Sequence, residues 1–148
     1  MKELVFALEF KGTAGPVPGS DTRLQARTSA TGQTLRSVVK PDTVQSTIEP
    51  IGGDLATFES DVEVVGEGAF VETGTIRYGR AGAITFKTVG RGVLGPSPQA
   101  GTQRGAVIWE VTAGEGRFQG AQGLITSNFT VGPNGEVKDD HFVRLYLP

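Results

Sequence analysis

Alternation of large apolar residues with smaller or polar ones runs along most of this chain, and it restricts the fold more than any other feature. In residues 4–11 (LVFALEFK) the large apolar side chains occupy every second position from Leu4 to Phe10, which places them on one face of an extended strand. No long window has the 3.6-residue period of an amphipathic helix. We therefore predict an all-β protein with few or no helices, and residues 20–50 are where a short helix would be least surprising.

Glycine and proline divide the chain into short extended segments. Residues 12–21 (GTAGPVPGSD) are expected to interrupt the first strand, and Asn134-Gly135 predicts a tight turn because both residues tolerate a positive φ. Residues 124–147 are therefore predicted to form a β-hairpin. Strand segments are predicted at residues 4–11, 23–28, 34–39, 44–49, 55–65, 69–78, 83–94, 106–113, 124–131 and 137–147.

Many short strands separated by regularly spaced turns are typical of a β-sandwich or a closed barrel. A chain of 148 residues is expected to form one domain, residues 1–148. Closure into a barrel removes the exposed edges of a sheet, and glycines within strands, such as Gly74, Gly90 and Gly92, suit the sharp bends at barrel corners. We predict a single small antiparallel β-barrel of about eight strands.

The motif Gly-Glu-Gly-x-Phe occurs twice, at residues 66–70 and 114–118, and each copy is followed by a later glycine and a strand. Each copy is predicted to end one strand, turn tightly and insert Phe70 or Phe118 as an apolar plug. A phosphate-binding loop is the alternative for the second copy. Its glycines miss the G-x-G-x-x-G spacing by one residue, and a strand follows where a dinucleotide site needs a helix N-terminus, so the structural turn is favoured.

The segments AGEGRFQGAQGLITSNFTV (113–131) and GEVKDDHFVRLYLP (135–148) resemble the turn and closing strands of the allene-oxide-cyclase-like barrel superfamily. The resemblance is nearest to its uncharacterised bacterial members and more distant to plant dirigent proteins, and it covers roughly residues 60–148. It implies an eight-stranded antiparallel barrel that holds an apolar small molecule, and a homo-dimer or trimer. Some relatives of this kind direct the cyclisation of a reactive intermediate without a cofactor, but no catalytic set of the family matches this sequence residue by residue.

Composition excludes several classes of protein. The 14 Lys and Arg against 16 Asp and Glu give a net charge of −2 without a basic cluster, which argues against a nucleic-acid partner. No apolar run could span a bilayer and no signal-peptide pattern is present, so we expect a cytoplasmic protein without a membrane partner. The absence of cysteine excludes disulfides, thiolate catalysis and cysteine-ligated metals, and we expect no cofactor.

His141, the only histidine, is the first candidate for catalysis. The strand period of residues 137–147 places His141 on one face with Asp139, and Arg144 on the other face with Tyr146. Asp139 would orient and charge the imidazole as a general base. The alternative expectation is a strand end at which these charges are simply solvated. A metal site is disfavoured, since two such ligands need further partners.

Polar residues within apolar strands are the second set of candidates. Glu110 follows Trp109, and Asn128 precedes Phe129. If the barrel interior holds the face of Glu110 or Asn128, these residues would form an acid/base and oxyanion-stabilising pair, and burial would raise the carboxyl pKa. The alternative is an ordinary strand with one face in water. The candidates are, for catalysis, Glu110, Asn128, His141 and Tyr146, and, for ligand binding, Trp109, Phe129, Arg144 and Glu59.

Three functions fit this chain. The first is a cofactor-independent cyclase, isomerase or lyase acting on a hydrophobic small molecule, whose barrel excludes water and holds the substrate in a reactive conformation. The second is a non-catalytic binding protein for an apolar ligand, and the third is a structural or oligomerising module with a filled barrel. An eight-stranded barrel either fills with side chains or leaves room for one ligand. A cavity of ~300 Å³ or more would favour the first two functions.

Overall fold

The computed structural model describes all 148 residues, and it confirms the predicted all-β chain. Its one helical element is a 3₁₀ turn at Gly79–Ala81, and residues 20–50 contain strands in place of a helix. No helix is long and apolar enough to cross a membrane. The strands are β1 (Lys2–Pro16), β2 (Arg23–Ala30), β3 (Gln33–Val39), β4 (Val44–Pro50), β5 (Ala56–Gly66), β6 (Ala69–Tyr78), β7 (Gly82–Thr88), β8 (Gly92–Pro96), β9 (Gln103–Gly116), β10 (Gln122–Val131) and β11 (Glu136–Leu147).

Eight of these strands close into an antiparallel barrel in the order β1-β2-β5-β6-β7-β9-β10-β11, and β11 pairs with β1 to complete the ring. The short β8 pairs with the start of β9 and touches the start of β6. β10 and β11 form the hairpin predicted at residues 124–147, and Gly135 adopts a φ of 81° in its turn. The predicted small β-barrel is therefore confirmed.

Inward-facing side chains fill one half of the barrel. Trp109 lies at the centre of this half, between Phe58 and Phe86, with ring centroids 5.4 and 4.4 Å away. Aromatic rings of this size bury large areas and dominate the energetics of a small core. The other fully buried side chains are Phe10, Ile76, Ile84, Ile125, Leu145, His141 and Val143.

The second Gly-Glu-Gly-x-Phe motif closes the end of this filled half. Phe118 is buried and packs against Tyr78, with ring centroids 5.3 Å apart. Gly116 holds a φ of 64°, and a Cβ on Gly114 would lie 1.9 Å from the Phe118 carbonyl oxygen, so the turn depends on glycine at both positions. The predicted apolar plug is confirmed for this copy.

The two largest errors in the predicted strand boundaries are at the end of β1 and within residues 83–94. β1 continues through residues 12–16, because Gly12 allows a close approach of β2: a Cβ there would lie 2.1 Å from the Arg27 carbonyl oxygen. The segment predicted as one strand at residues 83–94 is split into β7 and β8, and Gly90 takes a φ of 67° in the turn between them. Both differences arise at a glycine: Gly12 lies against the backbone of β2, and Gly90 adopts a positive φ in a turn.

β3 and β4 form a separate two-stranded hairpin, residues 33–50, referred to below as the arm. Almost every side chain of the arm is exposed. Its base is fixed by Gln33, whose side-chain oxygen accepts a hydrogen bond from the Glu9 backbone N–H (2.9 Å) and whose amide nitrogen donates to the Glu9 carbonyl (2.8 Å). The arm is therefore attached to the barrel wall without contributing to its interior.

Candidate functional site

The half of the barrel opposite Phe118 is hollow. A cavity of about 130 Å³ lies there, lined by fifteen residues of which ten are hydrophobic. Phe58, Phe70 and Phe129 supply its aromatic walls. Phe70, the phenylalanine of the first Gly-Glu-Gly-x-Phe motif, is buried and packs against Phe129 with ring centroids 5.9 Å apart. The two copies of the motif therefore place one phenylalanine toward each end of the barrel.

Glu72 projects from β6 into this cavity, because it shares the inward face of that strand with Phe70. Only 7% of its surface is exposed, and Ser60 on β5 donates a 2.5 Å hydrogen bond to its carboxyl group. Burial raises the pKa of Glu72 to about 7, the Ser60 hydrogen bond opposes this shift, and the charge of Asp139 adds to it. Glu72 is therefore about half protonated near neutral pH.

A second polar group, Ser127-Asp139-His141, borders Glu72. Ser127 donates a 2.6 Å hydrogen bond to Asp139 Oδ1, and His141 Nε2 lies 2.9 Å from Asp139 Oδ2. Asp139 faces the cavity, whereas His141 lies in the core beneath it, stacked on Phe10 with ring centroids 4.3 Å apart. No group of three or more His, Cys, Asp or Glu side chains is placed to hold a metal ion.

Three buried polar atoms near these carboxyl groups have no hydrogen-bond partner in the protein: Thr28 Oγ1, Trp109 Nε1 and His141 Nδ1. Thr28 Oγ1 belongs to a residue that lines the cavity and is 7% exposed. Trp109 Nε1 has no partner in hydrogen-bond geometry, although it lies near enough to Glu72 to favour the charged carboxylate slightly. Because a buried polar group without a partner costs free energy, the Thr28 hydroxyl is available to a bound molecule.

Glu110 and Asn128 lie on the outside of the barrel. Trp109 takes the inward position on β9, so the strand period turns Glu110 outward, where its carboxylate lies 3.3 Å from the Lys87 ammonium. Ser127 takes the inward position on β10, which leaves Asn128 exposed. The interior placement on which their catalytic pairing depended is therefore wrong.

His141 and Asp139 are 2% and 5% exposed, so the expectation of a solvated strand end is wrong. Both residues are buried because β11 lies between β1 and β10 in a closed sheet and is not an edge strand. The predicted contact between Asp139 and His141 is present. Trp109 was predicted to bind a ligand, but it belongs to the core below the cavity. Phe129 was also predicted to bind a ligand, and it does line the cavity.

The remaining candidates lie on the outer wall, away from the cavity. Arg144 pairs with Glu3 at 3.2 Å, and Glu59 lies 3.8 Å from Arg27, both on the solvent side of the barrel. Tyr146 shares the outward positions of β11 with Arg144. The structure therefore does not bring these three predicted residues together with Phe129 or His141.

A larger open groove of about 650 Å³ lies outside the barrel, beneath the arm. Leu35 of the arm and Phe142 of β11 line it, together with Asn128 and Asp140. Burial and a hydrogen bond with Glu9 raise the pKa of Asp140 to about 6. Phe142 is 50% exposed, so this groove excludes water less than the interior cavity does. The interior cavity is the better candidate for chemistry on a small molecule.

Sequence reasoning missed Glu72, Thr28 and Ser60. A signal for Glu72 was present, since it alternates with Phe70 and Ile76 and so belongs to the apolar face of residues 69–78. Thr28 lies in a weakly patterned segment without a clear apolar face. Ser60 becomes relevant only through the pairing of β5 with β6, which no local pattern specifies.

A scan against protein-family models finds no match to this chain, and neither curated proteins nor solved structures match it. Functional assignment therefore depends on the cavity itself. Its three informative properties are its size, its apolar walls and its two buried carboxyl groups, Glu72 and Asp139.

Proposed function

We propose that the protein is a cofactor-independent enzyme, of the isomerase, cyclase or lyase type, that moves a proton on a small hydrophobic molecule held in the cavity. The observation that carries the proposal is Glu72, a carboxyl group with a pKa of about 7 on the wall of an otherwise largely apolar cavity. Such a group can both accept and release a proton near neutral pH, which general acid–base catalysis requires. Some allene-oxide-cyclase-like barrels, which this chain resembles, direct a cyclisation without a cofactor, and this supports only the absence of a cofactor from the proposed reaction.

Cavity size limits the substrate of this proposed reaction. At about 130 Å³ the cavity is smaller than the ~300 Å³ that would favour a small-molecule function by volume, so the proposal depends on the polar groups of the cavity and not on its size. An apolar cavity of about 150 Å³ holds one benzene molecule. The inserted part of the substrate is therefore about one ring in size, and a longer molecule would extend past Leu94 and Gln103, which line the cavity from β8 and β9.

The polar groups have separate roles in this proposal. Glu72 exchanges the proton, and Ser60 holds its carboxyl group in position. The Thr28 hydroxyl, which has no partner in the protein, binds the polar atom of the substrate. Phe58 and Phe70 hold the apolar part and exclude water, which strengthens the electrostatic interactions around the reacting atoms.

We expect the protein to accelerate deuterium exchange at the carbon next to the carbonyl of small cyclic ketones in D₂O, measured by NMR. Glu72→Gln is expected to reduce this exchange rate at least about 100-fold, because the amide cannot accept the proton. Glu110→Gln is the matched control on the outer wall and should retain the wild-type rate. Binding should persist in Glu72→Gln, as monitored by Trp109 fluorescence, since Trp109 packs on the cavity residue Phe58. Exchange that is equal in both variants would contradict the proposal.

Self-association through the outer groove is a second candidate function, favoured by the composition of the arm. The arm has no core of its own, and isolated two-stranded hairpins are marginally stable in water. Its exposed apolar side chains, such as Val39 (82% exposed), match the apolar floor around Phe142. Arg36 on the arm and Asp140 in the groove carry opposite charges and form no ion pair in their own chain, and Arg91 also lines the groove. The proposed occupant of the groove is the arm of a second copy.

Phe142→Glu is expected to convert a wild-type dimer into a monomer, because it places a charge on the apolar floor of the groove. Light scattering coupled to size-exclusion chromatography measures the change in mass. Thr57→Glu, at another exposed position, on β5, is the control and should leave the dimer intact. A wild-type protein that is monomeric at high micromolar concentration would exclude this second function.

A further inference from the structure

Apart from the Thr28 hydroxyl and the Gln103 amide, the hydrogen-bond donors of the cavity wall are already used by the protein. Ser60 donates to Glu72, and Ser127 and His141 hold Asp139 from behind. No lysine, arginine or histidine side chain is among the residues that line the cavity. A carboxylate has about four acceptor positions, so Glu72 and Asp139 still present acceptors toward the hollow. The cavity therefore combines free acceptors with a deficit of positive charge.

We propose that the cavity binds the ammonium group of a small hydrophobic amine between Glu72 and Asp139, with the Thr28 hydroxyl as a third contact. This inference deepens the proposed function, on whose site it rests, by naming the chemical class of the substrate or ligand. The ammonium nitrogen lies at the polar wall, and the hydrocarbon part of the amine fills the space between the phenylalanine rings.

Thr28 gives the independent evidence for a ligand at this position. It lines the same cavity, more than nine-tenths of its surface is buried, and its Oγ1 has no partner in the protein. Three acceptors from Thr28, Glu72 and Asp139 match the three N–H donors of a primary ammonium group. An alcohol supplies only one donor, and a carboxylate supplies none and would be repelled.

The aromatic walls favour a cation as well as an apolar ring. Phe58, Phe70 and Phe129 surround the hollow, and a cation near the face of an aromatic ring gains further electrostatic stabilisation in a desolvated site. Pairing with an ammonium ion also lowers the free energy of the buried carboxylates, because an ionised carboxylate buried without a cation is unfavourable. An ammonium ion at this place therefore pairs with the buried carboxylates in a cavity whose wall contains three aromatic rings.

Binding of an amine should release a proton from Glu72. The groups that face its carboxyl are Ser60 from β5, Trp109 from β9 and Asp139 from β11, and the only positive charge near them would be on His141, which Asp139 holds. An ammonium ion favours the carboxylate form, so it lowers the pKa of Glu72 from about 7. At pH 7 amine binding should therefore release part of a proton.

Calorimetric titration of the wild-type protein with benzylamine, benzyl alcohol and benzoate tests the inference. Benzylamine is expected to bind at least about tenfold more tightly than benzyl alcohol, with no binding of benzoate. Repeating the benzylamine titration in two buffers with different enthalpies of ionisation measures the released proton. Neither measurement needs a variant, so a folding defect cannot obscure the result.

Glu72→Gln is expected to remove both the proton release and most of the preference for benzylamine, whereas Glu110→Gln should keep both. Equal or tighter binding of benzyl alcohol by the wild-type protein would overturn the amine inference but leave the proposed function intact. Absence of binding by all three compounds, together with absence of ketone exchange, would overturn both.

Discussion

The free energy of unfolding is expected to fall by about 3 kcal/mol as the pH rises from 4.5 to 7.5, because of Glu72 alone. The pKa of Glu72 is about 7 in the folded protein, against an ordinary value of 4.5 in the unfolded chain. Between these two values the folded state binds a proton that the unfolded state has lost, so rising pH favours unfolding. Above the folded pKa both states are ionised, and the loss is complete.

The variant Glu72→Gln isolates the contribution of Glu72 to the pH dependence of the free energy of unfolding from the contributions of other titratable groups. The amide does not ionise, and it still accepts the hydrogen bond from Ser60, so the variant should lack this part of the pH dependence. Urea unfolding at a series of pH values measures the difference between the two proteins. Asp140→Asn is the comparison. The pKa of Asp140 is also raised, to about 6, but its side chain is more open to solvent, so this variant should change the pH dependence of unfolding less than Glu72→Gln does. A difference between wild type and Glu72→Gln that stays constant with pH would contradict the assignment.

Most of the fold was predictable because local signals agreed with one another. In the β10–β11 hairpin, alternation in both strands and the Asn134-Gly135 turn pointed to the same pairing. The end of β1 was not predictable from the local sequence, because a glycine such as Gly12 is typical of a strand break. It remains extended because β2 approaches its backbone closely, and that contact joins parts of the chain that are distant in sequence.

The site was harder to predict because both faces of some strands are apolar. On β9, Ile108 competes with Trp109 for the interior, and the larger buried area of the indole ring decides the orientation. On β6, Glu72 alternates with phenylalanine and isoleucine, so its inward position was readable from the sequence. Its pKa was not, because it depends on Ser60 and Asp139, which β-sheet pairing and barrel closure bring to it.

His141→Phe is expected to lower the free energy of unfolding by about 3–5 kcal/mol, the largest effect of a single substitution proposed for this protein. Phenylalanine fits the apolar surroundings of the imidazole, which stacks on Phe10 and meets Trp109 edge to face. The loss therefore comes from Asp139, which keeps only Ser127 as a partner while it remains buried. Thermal and urea unfolding at pH 7 measure the effect.

Adding Asp139→Asn to His141→Phe should recover most of this loss, because the neutral amide accepts the Ser127 hydrogen bond without an uncompensated charge. If the imidazole contributed mainly by packing, the double variant would be at least as unstable as His141→Phe alone. The recovered protein also lacks one of the two cavity carboxylates, so it should bind benzylamine more weakly although its cavity keeps its shape. Stability and amine preference would then change in opposite directions, which a general loss of structure cannot produce.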